Sequence, residues 1–157
     1  DIVDVKTGQS LDLPTFLTTL ARYDIVYLGE EHYNQQHVEA ALTVLQTLRG
    51  ASRQPVLTME MFGWDGQPAL DDYVLKDRLG RGQFLDQVKW TQNWGGAFED
   101  YEPLVAFSRD RRLSVHPARR GFGLANASVS GGKRREKSPL CRVGRSMNLR
   151  KQVEPLK

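Results

Sequence analysis

The chain has 157 residues, 39% hydrophobic and 26% charged, which suits one domain that buries roughly 70% of its unfolded surface. No stretch approaches the ~20 apolar residues of a membrane-spanning helix, and the single Cys141 excludes an intrachain disulfide, a thiolate-only zinc site and a cysteine-held iron–sulfur cluster. The net charge of +3 conceals a split, because residues 1–116 carry 11 Lys/Arg against 17 Asp/Glu while residues 117–157 carry 11 against 2. The chain opens at Asp1 without an initiator methionine or a signal peptide, as a trimmed or mature form would. Ile2 to Lys6 alternates like a half-buried edge strand, and Thr7-Gly8-Gln9 supplies a turn. Asp12 or Pro14 opens a short helix with Phe16, Leu17 and Leu20 on its apolar face. Ile25 to Leu28 reads as a first core strand ended by Gly29. From Asn34 to Arg49, Val38, Ala41, Leu42, Leu45 and Leu48 recur at helical spacing, and Gly50 stops the run. Val56 to Glu60 is a second core strand. Two short helices follow around Gly80 and Gly82, carrying Leu70, Tyr73, Val74 and then Phe84, Leu85, Val88. Trp90 to Gly96 reads as an aromatic loop and Tyr101 to Arg112 as a helix. Leu113-Ser114-Val115 begins a third core strand.

Strands alternating with helices in this order predict an α/β fold, with a parallel-sheet core of βαβ units. After Val115 the periodicity stops. Residues 116–157 mix glycine, serine, arginine and lysine without a repeat, a composition near that of disordered chain. The domain is therefore expected over residues 1–115, with an irregular basic C-terminal tail over 116–157.

The densest chemistry lies at Gly29-Glu30-Glu31-His32, where an apolar run gives way to two carboxylates and an imidazole. Open α/β sheets place their sites just past the carboxyl ends of strands. Glu60 ends the next apolar run, so Glu30 and Glu60 are expected on neighbouring parallel strands facing one cleft. Such a cluster suits a divalent metal, with His32 and His37 as nitrogen ligands and Glu30 or Glu60 as oxygen ligands, His32 and Glu60 foremost. It also suits general-base chemistry by Glu30, His32 and Glu60. The same residues can instead cap the helix that starts near Asn34, where acidic groups favour the positive end. Tyr33 and His37 are residue types that ligate haem iron, and near a helix start they can equally be solvated or capping. Trp90, Trp94 and Tyr101 are expected to pack in the core.

Five short motifs in order resemble the ChaN-like haem-binding uptake domain of the Tiki superfamily, over residues 1 to about 115. They are Tyr27 to Asn34, Met59-Glu60-Met61-Phe62, Gln67 with Leu70 to Tyr73, Trp90 with Trp94-Gly95, and Tyr101 to Leu104. The resemblance implies a mixed α/β fold and a haem-binding lipoprotein of bacterial iron uptake at the cell envelope, in the periplasm or lipid-anchored to the outer membrane. It implies haem or another small ligand as partner and admits a homodimer; the ligand-binding candidates read from the residues are Glu30, His32, Tyr33, His37 and Glu60. Membrane attachment would come only through a lipid anchor not present in this sequence. The wider superfamily includes proteases and erythromycin-esterase-like enzymes sharing Gly-x-x-His and separate acidic residues, matched here by Gly29, His32, Glu30 and Glu60. A metal- or water-dependent hydrolase is thus the alternative.

Two departures from the family pattern stand out. Family domains run to about twice this length, and their tyrosine haem ligand is attributed to that later part, so the ligating region is expected to be absent from this chain. The turn after the third strand is Asn-Ala-Pro-Arg-like in the family but reads His116-Pro117-Ala118-Arg119-Arg120 here. Loss of period together with the swing to basic residues is what a shifted reading frame would produce, and a real basic tail would share it. Residues 133–151 also suggest nucleic-acid binding, but no aromatic side chain follows Phe122 to stack on bases, so no specific nucleic acid is expected.

Overall fold

The computed structural model describes residues 2–119. These fall into two units, 2–30 and 31–119. The expectations for the basic tail from residue 120 onward lie outside the described residues.

In the first unit β1 (Ile2–Val3) pairs antiparallel with β2 (Ser10–Leu11). The strand is shorter than its alternating pattern predicts, because the Asp4 side chain accepts the Lys6 N–H at 2.8 Å and turns the backbone away. Gly8 takes the left-handed φ of +71° that closes this turn. Helix α1 (Leu13–Leu20) starts at Asp12, whose carboxylate accepts the Thr15 N–H at 2.7 Å. That backbone hydrogen bond holds the Asp12 carboxyl below its ordinary value. The cap therefore stabilises the helix above the ordinary carboxyl range and is lost as acid protonates it. Phe16 and Leu20 are buried, as the spacing predicts.

Ile25 to Leu28 is not a strand. Residues 25–30 have irregular backbone, and Ile25, Tyr27 and Leu28 are exposed, Tyr27 to 81%. An apolar run specifies a preference for burial, but a strand also needs a ladder in register, and this segment joins none of the described ones. Glu30 therefore does not stand at a strand end, and the expected neighbouring strands bearing Glu30 and Glu60 do not occur.

The second unit begins with α2 (Gln35–Gly50), whose N-cap is Asn34; its side chain accepts the Gln36 N–H at 3.1 Å. Glu30 and His32 thus do not supply the cap. Replacing Asn34 by Ala should cost about 0.5–2 kcal/mol, as for other N-cap asparagines. An unchanged urea midpoint would show that the cap contributes nothing.

After α2 come β3 (Leu57–Gly63), α3 (Gln67–Leu70) with a π-helical turn over Asp71–Leu75, α4 (Arg81–Gln87), α5 (Trp90–Asn93), α6 (Glu102–Asp110) and β4 (Val115–Arg119). Trp90 to Asn93 is thus a short helix rather than a loop. Strands β3 and β4 pair in parallel, with Leu57 opposite Val115 and Met59 opposite Pro117. The third expected strand accordingly runs past Val115, where the sequence periodicity ends, through His116-Pro117-Ala118-Arg119.

The β3–β4 register slips between Met59 and Gly63, so that four steps on β3 match two on β4. Pro117 sits at the slip and has no N–H to give the ladder, which favours a bulge there. Alternation fails at the same place: Thr58 and Glu60 are exposed, Met59 and Met61 buried, then Phe62 and Gly63 buried in succession. Glu60 therefore lies inside β3 and faces solvent, rather than ending a buried strand.

The core of this unit is aromatic. Phe84 is fully buried, stacks on Tyr73 at 4.2 Å between centroids, and meets Phe62 at 5.9 Å and Phe98 at 5.8 Å. Trp90 and Tyr101 are buried beside them, as expected. On the surface Arg81 bonds Glu102 through Nε at 2.8 Å and Glu99 at 2.6 Å, tying α4 to the start of α6.

Candidate functional site

Residues 31–34 form the tight entry to α2. The Glu31 N–H donates to His37 Nδ1 at 2.8 Å, which fastens the entry to the first turn of the helix. Tyr33 holds a left-handed φ of +66°, uncommon for a residue with a Cβ. Its N–H donates to the buried Tyr101 hydroxyl at 3.5 Å.

That strained backbone turns two side chains outward. The Tyr33 ring covers Gly96, where an added Cβ would lie 2.5 Å from Tyr33 Cε1, so the close approach requires glycine. Trp90 Nε1 donates to the Gly96 carbonyl at 2.6 Å and pins this loop from beneath. His32 packs on Trp94 with ring centroids 4.6 Å apart and meets Tyr33 edge-on at 6.3 Å. Its Nε2 lies 3.1 Å from Glu60 Oε1, both side chains being about half exposed, 51% and 53%. The in–out alternation of β3 turns Glu60 toward this side.

The structure thus brings His32, Tyr33 and Glu60 together around Trp94. Glu30 is half-buried at the end of the first unit, two residues along the chain from His32, and has interactions of its own. His37 serves the backbone instead. Accepting an amide N–H at Nδ1 places its ring proton on Nε2, which leaves no lone pair there for a metal. Trp94 and Gly96, expected only to pack or turn, build the wall of the site. The signal was the glycine pair directly after an indole, which marks a close approach of backbone to a ring.

A parallel strand pair joined by helices defines an α/β protein, and the exposed imidazole–carboxylate pair set in an aromatic wall marks its candidate site. Residues 16–133 match the family described as haem-binding uptake, Tiki superfamily, ChaN, and the chain belongs to that family. Among solved structures it is similar to one described as cofacial heme binding to ChaN of Campylobacter jejuni. The two are 20% identical with a TM-score of 0.65, over 78% of this chain and 49% of that one, so this chain spans about half the length of that relative. No curated relative matches.

Proposed function

We propose that this chain binds haem in bacterial iron uptake at the cell envelope. The observation that carries the reading is the exposed, backbone-anchored Tyr33 beside His32 and Trp94, in a chain of a haem-binding family. Haem, when bound, would supply an iron that takes tyrosine or histidine among its ligands. His37 Nε2 carries its proton, which leaves the Tyr33 phenol, and His32 Nδ1 with Nε2 held by Glu60, as the groups of this set that fit the iron. Trp94 and His32 offer ring surface to a planar macrocycle. A lipid anchor and a homodimer belong to this reading as proposals.

Hemin added to the full chain should give a saturable Soret shift with a defined stoichiometry. His32→Ala should weaken it while changing stability by less than ~1 kcal/mol, as for an exposed side chain. A Soret change that only grows linearly with hemin, as in non-specific partition, would overturn the reading.

The 3.1 Å contact of His32 with Glu60 favours a second reading, hydrolysis on a water or a divalent ion. A carboxylate that orients an imidazole supports general-base work, and two donors about 2.1 Å from one ion can span this separation. Ester hydrolysis by the full chain that disappears in His32→Ala would support this reading. Equal rates in both proteins would exclude it.

A further inference from the structure

A cavity of about 440 Å³ opens at the far end of α2 from His32, lined by Gln46, Arg49, Gly50, Phe107 and Arg111. The helix from Gln35 to Gln46 separates it from the aromatic site, about 17 Å at the usual rise. Two arginines from different segments line it, the half-buried Arg49 from the last turn of α2 and the exposed Arg111 from the residue after α6. Among the described residues no carboxylate lines the cavity and neither arginine has an ion pair. Arg49 Nε is buried with no hydrogen-bond partner there, a costly state for a charged donor group. Arg111 lies over the Phe107 ring, 5.8 Å from its centroid, so one wall is apolar and aromatic. Gly50 leaves the mouth open, since a Cβ there would meet nothing within 4 Å.

Helix C-termini favour arginine on their own account, which explains the charge at each position. It does not explain why both residues line one cavity while the buried Arg49 Nε–H lacks a partner among the described residues. We propose that this cavity binds a small oxyanion, phosphate or carboxylate, carried on a compact apolar body. The planar forks of Arg49 and Arg111 take the oxygens, Gln46 donates its amide, and Phe107 packs against the body. The site is independent of the haem reading.

The test follows the Arg Nε–Hε signals of the full chain by NMR while phenyl phosphate, benzoate or inorganic phosphate is added. The Arg49 signal should shift saturably with phenyl phosphate or benzoate, whichever source of oxyanion the site prefers, and more weakly with inorganic phosphate. Arg49→Met should reduce affinity at least tenfold. Arg78→Gln, which removes an exposed guanidinium beside Asp72, should leave it unchanged. Gly50→Leu keeps both arginines and fills the mouth, so it should also abolish binding if Arg49→Met perturbs the fold. Shifts that fail to saturate, or that appear equally with chloride at matched ionic strength, would overturn the proposal. So would inorganic phosphate binding as tightly as the aromatic anions.

Discussion

Replacing Phe84 by Ala should destabilise the second unit by about 3–5 kcal/mol, the range for large aromatic truncations in packed cores. The side chain is fully buried, and its ring is the point where Tyr73, Phe62 and Phe98 meet. Removing it opens a void bordered by three rigid rings, each of which is held by other contacts and cannot collapse inward at low cost. Tyr73 would also lose its stacking partner, a further contribution of about 0.5–1.5 kcal/mol in aromatic pairs. Small domains have only about 5–15 kcal/mol of net stability, so this single change would remove much of the margin. Denaturant unfolding should show a lower midpoint at an unchanged slope. A loss below about 1 kcal/mol would mean that the aromatic cluster is loosely packed, contrary to the structure.

Tyr33→Phe should lower hemin affinity at least tenfold, about 1.4 kcal/mol, and move the Soret band. The variant keeps the ring that covers Gly96 and the backbone N–H that reaches Tyr101, so the architecture of the wall is retained. It removes only the phenolic oxygen, the group able to bond iron. The apo protein should keep its stability to within about 0.5 kcal/mol, because Tyr33 is exposed. Gly96→Ala is the complementary change, since a methyl group there displaces the Tyr33 ring without altering its chemistry. If Tyr33→Phe binds hemin as tightly as the parent with the same spectrum, the iron ligand is another residue.

Local pattern and tertiary context contributed differently to each element. Helix α2 was legible because Val38, Ala41, Leu42 and Leu45 repeat at 3.6-residue spacing, and helical hydrogen bonds close within the segment itself. Asp12 and the Gly8 turn were legible for the same reason, as each acts on backbone only a few residues away. Motifs spread along the chain were enough to place it in its family, since their order does not depend on how the segments pack. Strands carry no such self-sufficiency. Ile25 to Leu28 and Leu57 to Gly63 present similar apolar runs, yet among the described residues only the second pairs, because a ladder requires a partner that the run does not encode. The irregularity that ends the alternation of β3 after Met61 arises opposite Pro117, nearly sixty residues further along the chain. Likewise His32 meets Glu60 and Trp94 only after β3 and the loop ending in Gly96 have been set in place by the aromatic core. Residue order alone was sufficient for the main helices, the class of fold and the residue types available for chemistry. Which of those residues share a site depended on long-range pairing and burial, whose free energy comes from contacts between segments rather than within them.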